Sequence, residues 1–264
     1  MAKIGVFDSG VGGLSVLKEA IKLLPDSEFY YYGDNANCPY GPKGPDFIRK
    51  RSFEITKNLV DTYGVDIVVV ACNTATSYAI AYLRERFDIP FIAMVPAVKP
   101  AATTTQTGVV GVLATKGTLN APLYKQIRDI YGGNSTIIEH IGEGFVELVE
   151  TLELSGSHAE SVVEESIKDM VLAGADKIVL GCSHYPFLID TIQQVANRIK
   201  PSSAYDIEVI DPAPAVARHL YNVVVEHGID VKSLTPGILL VSSGSDEIMN
   251  LLFNCCIKQV SIYV

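Results

Sequence analysis

An internal repeat limits what this chain can fold into more than any other feature of its sequence. The segment GVDIVVVACNT at 64–74 aligns with GADKIVLGCSH at 174–184, and glycine, aspartate, valine and cysteine match in place. The alignment puts Cys72 and Cys182 at equivalent positions, 110 residues apart. Any two halves with valine-rich strands would share the valines, but coincidence less easily explains two cysteines at the same strand ends.

A second pair of segments repeats upstream of the first. IGVFDSGVG at 4–12 aligns with VGVLATKGT at 110–118, an offset of 106 residues. Each half is therefore predicted to begin with a strand and a glycine-containing turn, and to end a later strand at a cysteine.

Short apolar segments alternate with longer helical patterns along the chain. Strands buried on both faces of a parallel sheet read as continuous apolar runs, and amphipathic helices repeat apolar residues three and four positions apart. The predicted fold is therefore α/β, with two pseudo-symmetric Rossmann-like α/β domains, mostly parallel sheets and an interdomain active-site cleft. The nine predicted strands lie in KIGVFDSG, SEFYYYGD, VDIVVVACN, PFIAMV, GVVGVLAT, STIIEHI, ADKIVLGCS, IEVIDPA and GILLVSSG.

A segment rich in proline and threonine, MVPAVKPAATTTQTG, marks the predicted domain boundary. The first domain is predicted to comprise residues 1–97 and 208–264, and the second residues 98–207. The last two strands are assigned to the first domain because the second has already completed its repeat.

Composition excludes several classes of function. With 264 residues, 48% of them hydrophobic, the chain can bury one large core or two smaller ones. A net charge of -9 argues against binding to nucleic acid. No apolar run has the length of a signal peptide or a membrane span, so we expect a cytoplasmic protein without a membrane partner. Five cysteines without a C-x-x-C pair indicate free thiols and no metal site.

Polar residues follow the predicted strand ends, where ligands bind in open α/β sheets. The segments concerned are Asp8 and Ser9, Asp34 to Gly41, Cys72 to Thr76, Ala114 to Thr118, and Cys182 to His184.

Two thiols on opposite sides of a substrate suit the inversion of a stereocentre. One thiolate removes a Cα proton and the other thiol returns a proton to the opposite face. Because a Cα proton is a much weaker acid than a thiol, and each pKa unit of mismatch costs about 1.36 kcal/mol, the site must stabilise the carbanion. A single buried cysteine is commonly a small core residue. The duplicated positions of Cys72 and Cys182 favour the catalytic interpretation, with Asp8 and His184 as supporting groups.

Several polar residues stand beside the two cysteines. Asn73, Thr74 and Thr76 follow the first cysteine at a predicted helix start, where capping alone would explain one of them. Together with Ser183 and His184 in the other half, they predict a binding site for a carboxylate at helix N-termini.

The sequence resembles the glutamate racemase family over almost its whole length. The matching blocks, in order, are FDSGVGGLSVL (7–17), YYGDNANCPYGPK (31–43), ACNTATSYA (71–79), PFIAMVPAVKPA (90–101), GVLATKGT (111–118) and GCSHYPFL (181–188).

The resemblance implies a cofactor-independent interconversion of L-glutamate and D-glutamate by two cysteines, which supplies D-glutamate for peptidoglycan. It implies that Cys72 acts on the D substrate and Cys182 on the L substrate, assisted by Asp8, His184 and Glu150, without pyridoxal phosphate or metal. It also implies a homodimer. With the polar residues named above, the predicted substrate-binding set is Asp8, Ser9, Tyr40, Gly41, Asn73, Thr74, Thr76, Thr115, Thr118, Ser183 and His184.

The chain departs from the family pattern at two places. Ser183 stands where the family commonly has threonine, and Glu147 replaces a proline. Glu150 still matches the family's acidic residue, although on a bare helix Glu147 and Glu150 would simply form a solvated face. Related aspartate racemases and decarboxylases use the same cysteine positions but differ around the first strand and the PYG loop.

Two other classes of function fit part of the sequence. Gly10, Gly12 and Gly13 after the first strand, with Asp34 ending the second, partly match a dinucleotide-binding fingerprint. Ser15 occupies the third glycine position of that motif, and the paired cysteines would have no role in an NAD-dependent oxidoreductase. A two-lobed binding protein without catalytic activity would likewise not need the thiols.

Overall fold

The computed structural model describes residues 2–201, 205–230 and 236–257, and the chain divides into two compact units. The first unit is Met1–Met94 with Ala213–Val264, and the second is Val95–Pro212. In chain order the helices and strands are β1 (Lys3–Asp8), α1 (Leu14–Leu23), β2 (Glu28–Gly33), α2 (Pro45–Tyr63), β3 (Ile67–Val70), α3 (Asn73–Arg84), β4 (Phe91–Ala93), α4 (Val98–Thr104), β5 (Val109–Ala114), α5 (Lys116–Asn120), α6 (Pro122–Tyr131), β6 (Thr136–Ile141), α7 (Phe145–Glu150), α8 (Ser157–Leu172), β7 (Lys177–Gly181), α9 (Ile189–Ile199), β8 (Glu208–Ile210), α10 (Ala213–Glu226), β9 (Gly237–Ser242) and α11 (Glu247–Cys256).

The first unit contains a five-stranded parallel sheet in the order β4-β3-β1-β2-β9. Every residue of β3 is buried, as its continuous apolar run predicts. Because all strands run the same way, the ends of β1 and β3 lie at the same edge of the sheet. The polar residues that follow them, from Asp8 and from Cys72 onward, therefore meet there.

The second unit contains a four-stranded parallel sheet in the order β6-β5-β7-β8. The internal repeat is visible in the strand register. Phe7 pairs with Val70 in the first sheet, and Leu113 pairs with Leu180 in the second. These pairs are related by the offsets of 106 and 110 residues found in the sequence, so the repeat is a repeat of structure. All nine predicted strands and the parallel α/β fold are confirmed.

Strand β8 corrects one prediction. The strand in IEVID was predicted to belong to the first domain, which was expected to include 208–264, but β8 pairs with β7 in the second sheet. The repeat explains this position, because β8 lies beside β7 as β4 lies beside β3. A second copy of the motif therefore needs its own strand after the cysteine. Within the described residues, β9 is the strand of the first unit without a counterpart in the second, and the predicted segment beyond residue 257 lies outside them.

Two further findings concern the predicted class of protein. Across residues 2–201, 205–230 and 236–257, no helix combines the length and the apolar character needed to cross a membrane. Of the described cysteines, Cys38, Cys72, Cys182 and Cys255 form no disulfide bond.

Candidate active site

Cys72 lies at the start of α3 in the first unit, and only 3% of its surface is exposed. It is the N-cap of the helix, and the backbone N–H of Ala75 donates to its Sγ at 3.4 Å. Its thiol donates to Ser9 Oγ at 3.6 Å. A helix N-terminus favours negative charge, so this position stabilises a thiolate.

Asp8 ends β1, the strand next to β3, and its side chain is fully buried. Its Oδ2 accepts a hydrogen bond of 2.9 Å from the backbone N–H of Gly13. A Cβ at Gly13 would lie 2.8 Å from the Asp8 Cβ, which is closer than side chains approach. The glycine turn after β1 therefore both makes room for the carboxylate and binds it.

The three polar residues after Cys72 lie in different environments. Asn73 is buried, and neither its Nδ2 nor its Oδ1 has a hydrogen-bond partner among the described residues. Thr74 is also buried. The Thr76 hydroxyl donates to the Val70 carbonyl at 3.1 Å and accepts from the Met94 N–H at 3.3 Å, which ties α3 to the sheet. An unpartnered buried amide is costly, so Asn73 is the residue here best suited to meet a ligand.

The loop after β2 carries the predicted residues Tyr40 and Gly41. The Tyr40 hydroxyl donates to Asp34 Oδ2 at 2.7 Å, and the Arg51 guanidinium from α2 binds the same carboxylate through two nitrogens. Burial, the charge of Asp34 and the hydrogen bond to it, and the charge of the Cys72 thiolate all raise the pKa of Tyr40. Tyr40 therefore stays a neutral phenol within electrostatic range of Cys72.

In the second unit, Cys182 directly follows β7 and is 6% exposed. Its Sγ lies 3.9 Å from Nδ1 of the buried His184. His184 Nε2 lies 2.8 Å from Glu150 Oε1, at the end of α7. The carboxylate accepts a hydrogen bond from the protonated Nε2. Nδ1 is then unprotonated and faces the thiol as an acceptor. The three side chains form a continuous chain of contacts from the thiol to the carboxylate.

The hydroxyls predicted in this unit lie near the end of β5, the strand next to β7. Thr115 is the N-cap of α5 and accepts from the Thr118 N–H at 3.3 Å, and the two threonine hydroxyls are 3.1 Å apart. Thr118 and Ser183 are buried. Because Ala114 pairs with Gly181, the residues that follow β5 and those that follow β7 begin side by side at the same edge of the sheet.

A sequence model of Asp/Glu/Hydantoin racemase matches residues 4–220, which include both cysteines and their surroundings. The chain belongs to the Asp/Glu/Hydantoin racemase family. It is therefore an isomerase, as the sequence predicted.

Relatives of this racemase are glutamate racemases. The glutamate racemase of Herpetosiphon aurantiacus is 43% identical over 215 residues, which are 81% of this chain and 82% of that protein. The crystal structure of glutamate racemase isoform RacE1 from Bacillus anthracis has a TM-score of 0.84 at 28% identity, covering 96% of this chain and 93% of that one. The Escherichia coli glutamate racemase, solved with L-glutamate and the activator UDP-MurNAc-Ala, has a TM-score of 0.83 at 31% identity, covering 97% and 95%.

Sequence reasoning missed two residues that the racemase structure brings close to the predicted site. Arg51 binds Asp34, and Tyr185 is fully buried beside Cys182 with its hydroxyl donating to the Gly142 carbonyl at 3.2 Å. Burial first, and then the charge of the Cys182 thiolate, raise the pKa of Tyr185. Tyr185 stands in the block GCSHYPFL and could have been found there, but Arg51 lies on a helix with other basic residues and has no sequence signal. Glu147 is exposed, as expected of a solvated helix face.

Proposed function

We propose that this racemase interconverts L-glutamate and D-glutamate by a two-base mechanism in which Cys72 and Cys182 exchange the roles of acid and base. The observation that carries the proposal is the duplicated cysteine after β3 and β7, each buried beside groups that favour its thiolate. The glutamate racemases among its relatives support glutamate as the substrate, as does the L-glutamate bound to the Escherichia coli enzyme.

The proposed reaction moves one proton at a time. The Cys182 thiolate removes the Cα proton of L-glutamate and becomes a thiol, leaving a carbanion at Cα. The Cys72 thiol then gives its proton to the opposite face of Cα, which forms D-glutamate and leaves Cys72 as the thiolate. The reverse reaction uses the same steps in the opposite order, so no proton or electron is gained or lost.

The groups around each thiol support this exchange. The helix N-terminus and the Ala75 N–H stabilise the thiolate of Cys72. His184, oriented by Glu150, takes up the proton of Cys182 before it acts as a base. We propose that Asp8 assists Cys72 in the same way from the end of β1.

Polar groups at the strand ends are proposed to bind the substrate. Asn73 offers a buried amide with donor and acceptor atoms that no described residue satisfies, which suits a charged ligand with both kinds of partner. The other proposed binding residues are Asp8, Ser9, Tyr40, Gly41, Thr74, Thr115, Thr118, Ser183 and His184. Thr76 is not included, because its hydroxyl is engaged with Val70 and Met94.

The proposal is tested by following the circular dichroism of L-glutamate with purified protein, after dialysis against a chelator and a carbonyl reagent. We expect the signal to decay to zero as the racemate forms, without added metal or pyridoxal phosphate. Aspartate, assayed in parallel, should react far more slowly. Activity restored only by metal or pyridoxal phosphate would contradict the cofactor-independent mechanism, and turnover of aspartate without glutamate would contradict the substrate.

We further propose that the product supplies peptidoglycan synthesis in the cytoplasm and that the chain acts as a homodimer. Expression of the chain in a bacterium that requires external D-glutamate should remove that requirement, and a Cys72→Ser variant should not. Light scattering of the purified protein measures the oligomeric state.

A further inference from the structure

The Asp34 carboxylate binds residues of the loop that carries Tyr40 and Gly41. Asp34 follows β2, its side chain is fully buried, and its carboxylate accepts hydrogen bonds from Arg51, Tyr40 and Asn37, among others. Arg51 donates from Nε to Oδ2 and from Nη2 to Oδ1, both at 2.8 Å. The Tyr40 hydroxyl donates to Oδ2 at 2.7 Å, and Asn37 Nδ2 donates to Oδ1 at 3.1 Å. Tyr40 and Asn37 belong to the loop itself, so the loop is folded around this carboxylate.

Arg51 is the cation that makes a buried carboxylate tolerable at this position. Burial alone would raise the pKa of Asp34, but the hydrogen bonds from Arg51 first, and then from Tyr40, hold it below its usual value. Arg51 comes from α2, outside the loop, and its side chain is 23% exposed. Its Nη2 also donates to the Tyr32 hydroxyl at 3.1 Å. The guanidinium thus links the loop to α2, which lies outside the loop.

We propose that Arg51 is a positioning residue of the substrate site: through Asp34 it fixes the loop from Asp34 to Gly41 and thereby holds Tyr40 and Gly41 in the conformation that binds glutamate. This inference rests on the proposed function, which gives the two loop residues their role. Arg51 does not touch the substrate. It acts because one rigid fork fixes both oxygens of the carboxylate to which Tyr40 binds.

The geometry explains why lysine would not replace arginine. A lysine ammonium is a single point donor, whereas the two bonds from Arg51 need a planar group with two parallel N–H donors. Arg51→Lys should keep the charge that Asp34 requires but lose the fixed orientation of its carboxylate. Arg51→Gln should lose both.

The test compares Arg51→Gln and Arg51→Lys with the control Arg49→Gln. Arg49 lies on the same helix and pairs with the exposed Asp46. Because Arg51→Gln removes both charge-assisted bonds to the Asp34 carboxylate, we expect it to raise the KM for glutamate about tenfold. Its kcat should fall less than KM rises, Arg51→Lys should be intermediate, and Arg49→Gln should match the wild type.

A second measurement does not depend on activity. Cys38 lies within the loop and is half-buried, whereas Cys255 is an exposed thiol on α11 of the same unit. Alkylation of the two thiols by iodoacetamide, followed by peptide mass spectrometry, compares the loop with an internal reference. Arg51→Gln and Arg51→Lys should speed the alkylation of Cys38 and leave that of Cys255 unchanged.

The outcomes separate this inference from the proposed function. Wild-type KM and wild-type Cys38 reactivity in both Arg51 variants would overturn the positioning role. Faster alkylation of both thiols, with a lowered melting temperature, would show general loosening and would also overturn it. If the wild type fails to racemise glutamate, the proposed function fails, whereas a selective change at Cys38 still supports the anchoring of the loop by Arg51.

Discussion

The two cysteines occupy equivalent positions after β3 and β7, but the chain that follows them folds differently. After Cys72, α3 starts at once, and the Thr76 N–H donates to the Cys72 carbonyl at 2.8 Å. The equivalent of Thr76 in the second unit is Pro186, which has no N–H and cannot form this bond. The Tyr185 N–H donates to the Cys182 carbonyl at 3.2 Å instead, one residue earlier.

This difference changes the groups that contact each thiol. The tight turn that contains Pro186 delays α9 until Ile189, so Cys182 is not the N-cap of a long helix. Cys72 has a backbone N–H at 3.4 Å, and Cys182 has the imidazole of His184 at 3.9 Å. Of these two contacts, the one to Cys72 comes from the backbone and the one to Cys182 from a titratable side chain. Single substitutions should therefore disturb the second thiol more easily than the first.

The largest effect is expected when either thiol is removed. Cys72→Ser and Cys182→Ser should each abolish racemisation, because a proton removed on one face must be replaced on the other and a serine hydroxyl is a far weaker acid than a thiol. More substrate should rescue neither variant. Polarimetry of both enantiomers measures the loss. Racemisation near the wild-type rate in either variant would contradict the two-base assignment.

The same two variants allow the thiols to be compared separately, through the exchange of the Cα hydrogen of each enantiomer. Cys182→Ser retains Cys72 and should still exchange the Cα hydrogen of D-glutamate with deuterated water, whereas Cys72→Ser should favour exchange of L-glutamate. Proton NMR in deuterated water follows both enantiomers. Exchange with the opposite preference would mean that the two thiols face the opposite enantiomers.

The next effect concerns His184, the side chain on which the second unit relies. His184→Asn should lower kcat by about 10² to 10⁴, the usual value of acid-base assistance, with little change in melting temperature. Because the two enantiomers have equal free energy, kcat/KM must fall by the same factor in both directions. An effect of His184 on Cys182 alone is therefore visible only in the exchange of the Cα hydrogen of L-glutamate. His158 pairs with Glu153 at 2.9 Å on the exposed surface, so His158→Asn is the matched control and should match the wild type. A large loss of melting temperature with normal activity would make His184 a structural residue.

Asp8→Asn tests whether the first unit has a comparable assistant. The sequence predicts a loss of kcat in the same range, about 10² to 10⁴. The structure adds that Asp8 binds the Gly13 N–H, a bond that an asparagine oxygen can keep. Asp8→Asn can therefore remove the assistance to Cys72 while it keeps the hydrogen bond that stabilises the turn. A normal kcat in Asp8→Asn would mean that the backbone alone supports Cys72.

The sequence predicts those features of the fold and the site that leave a local pattern in it. The apolar runs predicted the nine strands and their parallel arrangement, because strands buried on both faces are continuously apolar, and the alignment of the two halves predicted the repeat. The cysteine positions followed from the same alignment. The strand β8 was predicted, but its assignment to the first domain was wrong, because the second repeat was taken to be complete before this strand. Arg51 was missed because its role comes from a long-range pair with Asp34, which no local pattern records.

A smaller effect is expected from Glu150, which acts on the second thiol only through His184. Its side chain is 24% exposed, so water can replace part of its interaction with the imidazole. Glu150→Gln should lower kcat about tenfold, which corresponds to about 1.4 kcal/mol. In the His184→Asn background the same change should have no effect, because the group that it orients is gone. Additive losses in the double variant would contradict this arrangement.

The smallest effect, and the one that separates binding from folding, is expected at Asn73, whose equivalent in the second unit is Ser183. The buried Asn73 amide lacks a partner among the described residues, which costs about 1 kcal/mol or more in the free protein. Asn73→Ala should therefore raise the melting temperature of the free protein by about 2 °C while raising the KM for glutamate. Asn73→Ser, which introduces the residue of the second unit, should lie between.

Saturating glutamate should reverse the order of stability. A ligand stabilises a protein by RT ln(1 + [L]/Kd), so a variant that binds about tenfold more weakly loses about 1.4 kcal/mol of that stabilisation at the same high concentration. Thermal unfolding with and without glutamate should therefore show Asn73→Ala more stable than the wild type when free and less stable when bound. If Asn73→Ala is less stable in both states, the amide serves the fold, and the first unit binds its substrate through other groups.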